Sequence, residues 1–349
     1  MGVRVPDRIA DVDELEELLS EPDDALTEMM GRLTGDILVL GAGGKMGPTL
    51  ARMARRAADR AGTDSSYRKV IAVSRYTNRD AATLLERTGV QTIAADLMDP
   101  AQLRLLPDCP NIVFMAGMKF GSSGNEALTW AMNVDLPAMV CRRFPEARFA
   151  AFSTGNVNAM AKVTEGGSIE TEAPGPVGEY AMSCLGRERI FEHYSRTTGL
   201  RASILRLSYA VEMRYGVLLD TALKVWNGIP VDLVMGNMPA IWQRDANSQA
   251  LRSLEHAASP ATVINITGPE FLSVRQIALR FGREFDRQVV FTGTERGEAL
   301  LSCTQKAQAL FGYPSIPVEQ VIQWTADWVK HGGTTLNKPT HYETTDGKF

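Results

Sequence analysis

The segment Ile37-Leu-Val-Leu-Gly41-Ala-Gly43-Gly44-Lys45-Met46-Gly47 constrains this chain more than any other. A four-residue apolar run leads into a glycine cluster, which opens a helix-like stretch over 46–61. A strand that turns straight into a helix needs a residue without Cβ at the turn. It needs a second glycine where backbone amides approach an anion, and a third where helix and strand pack closely. Gly41, Gly44 and Gly47 stand at those places. The positive end of the helix then faces the anion. Strand, loop and helix agree, so the segment reads as a dinucleotide-binding turn walled by Gly43, Lys45 and Met46.

The pattern continues beyond it. Short apolar runs at 70–73, 92–95, 112–115, 149–152 and 202–207 alternate with helix-like stretches at 81–87, 127–143 and 180–196. The runs are continuously apolar, as strands buried on both faces are. This predicts an α/β fold, a Rossmann-type doubly wound parallel sheet, over 35–207. Ahead of it, Leu15, Leu18 and Leu19, then Leu26, Met29, Met30 and Leu33, recur at helical spacing and predict a helical arm over 1–34. Residues 208–330 are less regular, with helices at 217–226, 245–256 and 318–330 and strand candidates at 263–266 and 289–292. They predict a smaller α+β substrate lobe, partly interleaved with the sheet. Ser273 and Gln276 read as a capping box. The polar stretch 331–349 reads as an irregular strap.

Composition narrows the function classes. Lys and Arg number 37 against 41 Asp and Glu, a net charge of -4, which disfavours a phosphate-tracking surface and nucleic acid as partner. No apolar run approaches a membrane span, and the acidic start does not resemble a secretory signal. Cys109, Cys141, Cys184 and Cys303 are widely spaced and four histidines are scattered, so no metal site is expected. A cytoplasmic location is the expectation.

The end of the second strand bears on cofactor choice. An acid there would hold the adenosine ribose hydroxyls of NAD. Here Val73 is followed by Ser74 and Arg75, with Arg79 close by. A hydroxyl and a guanidinium suit a 2′-phosphate, so the reading leans to NADP over NAD. Solvated loop charges would look the same. Asp96 and Leu97 after the third strand either flank the adenine or cap a helix.

Further segments line up with the glycine loop: Ala116-Gly117, Ser153-Thr154-Gly155-Asn156, Asn133-Val134, Tyr180-Ala-Met-Ser-Cys184 and Arg206-Leu-Ser-Tyr209. Together they resemble the extended short-chain dehydrogenase/reductase family, the group of NAD-dependent epimerases and dehydratases, over roughly 36–330. The resemblance implies that Thr154 is the hydroxyl partner and Tyr180 the acid/base, with Ala116 and Gly117 beside the cofactor. It also implies a homodimer through the helices at 127–143 and 180–196. The family's lysine, four residues after the tyrosine, is Cys184 here. A neutral thiol cannot act as an ammonium. Three readings follow: another cation such as Arg187 serves, the substrate is already acidified, or hydride chemistry is lost and binding remains. Family dehydratases carry Asp-Glu after the threonine. Gly155-Asn156 stands there, which disfavours elimination.

Candidate substrate residues are the loop Lys119-Phe120-Gly121-Ser122-Ser123, with Asn156, Tyr209, Arg214, Tyr215, Trp242 and Arg244. An arginine fork matches carboxylate or phosphate, and an aromatic ring stacks on a sugar or base. Surface charge and core packing explain these residues equally well. Asp245 reads as an N-cap and His193 as a helix-face residue. The chain is thus expected to be an NAD(P)-dependent oxidoreductase or epimerase on a sugar, sugar acid or nucleotide sugar. The alternative is a dinucleotide-binding sensor of the same fold.

Overall fold

The structure is a computed structural model and describes residues 5–62, 68–119 and 121–347. Seven strands form one sheet: β1 (Ile37–Leu40), β2 (Val70–Ser74), β3 (Gln91–Ala94), β4 (Asn111–Phe114), β5 (Arg148–Thr154), β6 (Arg201–Leu207) and β7 (Thr262–Ile266). Their order is β3-β2-β1-β4-β5-β6-β7, and every neighbour pair is parallel. The order reverses between β1 and β4, where a crevice opens at the carboxyl ends of the strands. The seventh strand comes from the C-terminal half of the chain.

Every strand but the edge strand β3 supplies two cores. Ile37 and Val39 face α3 (Gly47–Arg60) and α10 (Gln243–Arg252), while Leu38 and Leu40 face α5 (Pro100–Leu105), α7 (Leu136–Arg143) and α8 (Gly178–Thr198). This two-sided burial is why the strands read as unbroken apolar runs. A third core belongs to the lobe, where α9 (Val217–Trp226), α11 (Val274–Phe285) and α13 (Val318–Lys330) pack around Phe281 and Trp324. The arm forms α1 (Val12–Leu19) and α2 (Asp24–Arg32). Leu15, Leu18 and Leu19 enter the lobe core, and Leu26, Met29 and Met30 enter a sheet core. The arm therefore clasps both parts of the chain.

Three local differences from the sequence expectation have physical causes. The stretch 127–143 is not one helix. It runs as α6 (Glu126–Trp130), a π-turn (Ala131–Asp135) and α7. Pro137 has no N–H to give to the Asn133 carbonyl, and the Leu136 amide bonds Ala131 O instead, closing a wider turn. Two short helices, α5 and α12 (Gln305–Phe311), are too brief to show a clear period. The proposed capping box is half realised: Ser273 Oγ accepts from Gln276 N at 3.3 Å.

Residues 331–347 contain neither helix nor strand and strap across the lobe. Thr340 donates its amide and hydroxyl to Asp220 Oδ2 at 2.7 and 2.6 Å, and Tyr342 is buried in the lobe core. Among the described residues, no helix is long and apolar enough to cross a membrane.

Beneath the sheet end lies a buried ion pair. Arg206 on β6 meets Glu188 on α8 at 2.8 Å, and Ser153 Oγ donates to the same carboxylate at 2.6 Å. This fixes α8 against β5 and β6. Glu188→Ala leaves the guanidinium buried without its counter-charge, so it should cost about 3–5 kcal/mol. A urea midpoint equal to that of the wild type would refute this anchoring role.

Candidate active site

The glycine turn is closed by contacts that exclude side chains. Gly41 has φ +90, and a Cβ there would lie 2.5 Å from the Ala116 amide nitrogen. A Cβ at Gly47 would lie 2.3 Å from the Ala42 carbonyl oxygen, so α3 starts in contact with the turn it leaves. Gly43 and Gly44 are exposed. Met46 caps α3 without a side-chain hydrogen bond, which leaves first-turn amides directed at the crevice. Exposed glycine backbone and uncapped amides at a helix N-terminus fit a diphosphate.

On the adenosine side, Ser74 is half-buried at the end of β2, and a Cβ on Gly43 would sit 2.3 Å from its hydroxyl. Arg75 and Arg79 are exposed. The Asp96 carboxylate accepts the Met98 amide at 3.0 Å and Leu97 is buried, both at the end of neighbouring β3. Ala116 and Gly117 follow β4 directly and close the other side of the turn.

A single cleft runs from Gly41, Gly44, Lys45, Met46 and Gly47 past Gly117 and Lys119 to Thr154, Asn156 and Tyr180. The Tyr180 phenol hydrogen-bonds with both Thr154 and Cys184. Thr154 Oγ1 also accepts the Asn156 amide at 3.2 Å, which holds it at the tip of β5. Burial raises the Tyr180 pKa first, and the adjacent Cys184 raises it further, against lowering by Thr154 and Arg187. Cys184 is 1% exposed, and burial pushes its thiol up as well, so it is neutral.

Asn133 ties these pieces together. Its amide accepts from Met118 N at 2.9 Å and donates to Met118 O at 3.0 Å and Ser183 Oγ at 2.9 Å. Arg187 donates to Asn133 Oδ1 at 2.5 Å and to Phe152 O at 2.8 Å. The loop after β4, the tip of β5 and α8 thus share one buried hub. The sequence marked Asn133 only as part of a resemblance, because its role depends on the π-turn that aims it inward.

Gly155 faces Ser208 so closely that a Cβ would lie 1.8 Å from the Ser208 hydroxyl. The Ser208 side chain occupies the space that a side chain at position 155 would take. Tyr209 lines the cleft with φ +49, a left-handed conformation that non-glycine residues rarely hold and that functional sites retain. Lys45 places its ammonium 3.0 Å from the centre of the Tyr215 ring, and burial lowers its pKa to about 7. Thr340 of the strap completes the wall. Neither Lys45 nor Tyr215 was singled out together, since sequence does not show that loop and lobe meet.

Three sequence candidates lie elsewhere. Arg214 is committed to Glu212 and to Glu16 of the arm, at 3.1 and 2.7 Å. Arg244 is 1% exposed and bonds Glu21 O, Asp245 and Ser315. Trp242 packs on Trp324, ring centres 5.4 Å apart. These are structural contacts, and the cleft does not reach them. Asp245 is not the N-cap the sequence suggested: Trp242 holds that position without a side-chain hydrogen bond, and Asp245, inside the first turn of α10, accepts the Ser315 and Ile316 amides at 3.0 and 3.2 Å instead. Phe120 lies outside the described residues. His193 is exposed on α8, as expected.

No curated protein sequence matches the chain. Solved structures match it in fold. UDP-glucuronic acid 4-epimerase from Bacillus cereus, in complex with UDP-glucuronic acid and NAD, is 19% identical, with 85% of this chain and 99% of that one covered and a TM-score of 0.68. UDP-glucose 4-epimerase from Thermotoga maritima, with UDP-glucose, is 18% identical over 85% and 99%, TM-score 0.67. A dTDP-glucose 4,6-dehydratase from Streptomyces venezuelae with NAD bound is 17% identical over 85% and 97%, TM-score 0.69. The model of the NAD dependent epimerase/dehydratase family matches residues 37–211, half of the chain and the whole of the glycine turn, Thr154, Tyr180 and Tyr209. This protein therefore belongs to the NAD dependent epimerase/dehydratase family.

Proposed function

We propose that the chain is an NAD(P)-dependent oxidoreductase or epimerase that acts on a sugar, sugar acid or nucleotide sugar through a keto intermediate. The observation that carries this reading is the hydrogen-bonded pair Thr154–Tyr180, set in the cleft that begins at the glycine turn. Gly41, Gly43, Gly44, Met46 and Gly47 would hold the diphosphate, with Ala116 and Gly117 beside the nicotinamide half. When bound, the nicotinamide supplies hydride exchange with a substrate carbon. Tyr180 takes the proton of the substrate hydroxyl and returns it, and Thr154 orients the same oxygen. Asn156, Tyr209 and Tyr215 form the substrate side, with Lys45 offering charge to an anionic group. Ser208 Oγ is buried there without a protein partner among the described residues and suits a substrate hydroxyl. The closed position at Gly155 disfavours elimination chemistry.

The absence of a carboxylate at the end of β2, with Ser74 and exposed Arg75, supports NADP over NAD. Exposed Leu128 and Trp130 on α6 and Met182 on α8 support a homodimer through these helices. A second reading, a dinucleotide sensor, is favoured by one observation. Cys184 and burial both raise the proton affinity of Tyr180.

Four outcomes follow. With NADP or NAD and a panel including UDP-glucose and UDP-glucuronic acid, absorbance at 340 nm or product stereochemistry should reveal turnover. Tyr180→Phe should lower that turnover by about 10²–10⁴-fold with cofactor affinity kept. Unchanged turnover would remove Tyr180 from the chemistry, and cofactor binding without turnover on any panel member would favour the sensor. Gly47→Ala should weaken NADPH binding at least about tenfold, roughly 1.4 kcal/mol, read by nucleotide fluorescence. In the same assay wild type should prefer NADPH and Ser74→Asp should shift towards NADH. A wild type that prefers NADH would contradict the reading of Ser74 and Arg75.

A further inference from the structure

A phenol that exchanges protons near neutral pH needs a nearby positive charge, since burial alone holds it protonated. Position 184 does not supply one: Cys184 is buried, neutral, and raises the proton affinity of the phenol beside it. Three cations line the cleft, and one of them, Lys45, lies over the Tyr215 ring. Arg187 is 6% exposed and its terminal nitrogens are held by Phe152 O and Asn133. It braces the floor and lowers the Tyr180 pKa from below, yet burial and Cys184 outweigh it.

Lys119 stands on the loop after β4 and lines the same cleft. Its ammonium lies 5.9 Å from the centre of the Tyr180 ring, in the same cleft as Thr154. The loop is not loosely placed. Both backbone groups of neighbouring Met118 bond Asn133, and Asn133 also bonds Ser183, one residue before Cys184. The element that carries the ammonium is therefore fixed to the helix that carries the phenol.

We propose that Lys119 is the positioning cation of this site: its ammonium, delivered from the loop after β4, stabilises the Tyr180 phenolate in place of the amine missing at 184. The proposal rests on the reading of Tyr180 as the acid/base. The groups around Lys119 agree with it. Lys45 faces it from the glycine turn, Tyr180, Cys184 and Arg187 from α8, Asp220 from α9, Tyr209 and Tyr215 from the lobe, and His341 from the strap. Burial lowers the Lys119 pKa to about 8, with Cys184 and Asp220 opposing. The charge is present below that pH, and a phenolate forming beside it favours the ammonium in turn, so the two groups titrate as a pair.

The test follows the phenol itself and needs no substrate. NMR of ring-labelled tyrosine in the full chain with NADP added reports its titration, the signal being assigned by its loss in Tyr180→Phe. Lys119→Met should raise the Tyr180 midpoint by about one pH unit or more. Lys119→Arg, which keeps the charge, should leave it near the wild-type value. Lys119→Met combined with Cys184→Lys should bring it back down. Identical titration of wild type and Lys119→Met over the accessible range would overturn the proposal. So would an equal rise in Lys119→Arg and Lys119→Met, both folded by thermal melting. If no sugar is turned over, the titration result still stands. Normal turnover with an unmoved midpoint removes the role of Lys119 alone.

Discussion

The contact between the first residue of α3 and the turn before it sets the rest of this architecture. Gly47 lies so near the Ala42 carbonyl that even a methyl group would have to displace backbone. That contact lets the helix begin where the strand ends, and its N-terminal amides then face the crevice at the β1/β4 reversal. Gly41 makes the same kind of contact with Ala116, so the turn also fixes the start of the loop after β4. The anion-binding end of the cleft and the loop that carries Lys119 are consequences of one backbone packing arrangement.

The reacting end is organised by a different device. Asn133 sits in a π-turn, fully buried, and bonds the loop after β4, α8 and Arg187 together. A regular helix would aim this side chain elsewhere, and Pro137 supplies the irregularity. Around that hub the proposed site has its own arrangement of charge. Cys184 stands on α8, the Lys119 ammonium lies 5.9 Å from the Tyr180 ring centre, and Gly155 packs against Ser208.

Much of the fold was legible because the strands are buried on both faces and so appear as continuous apolar runs between helices. The bounds of β1, α9 and α13 agree with the sequence pattern. The glycine turn was legible because Gly41 and Gly47 have steric duties that no other residue fulfils. The lobe was less so. Arg214, Trp242 and Arg244 have the chemistry of ligand-binding residues, but chain segments far away in sequence, the arm and α13 among them, take up their polar and aromatic groups. Lys45 and Lys119 were placed in sequence as loop residues of the cofactor and substrate sides. Only the folded chain shows that both charges face one cleft with Tyr180. The π-turn was hidden because the residues on either side have ordinary helical spacing.

The claim on which the account rests is that the glycine turn binds a diphosphate. Calorimetric titration of the purified chain with ADP-ribose, which lacks the nicotinamide, isolates that contact from the chemistry at Tyr180. The account predicts saturable binding at one site per chain, competitive with the intact dinucleotide. Absence of binding by both ligands would contradict it.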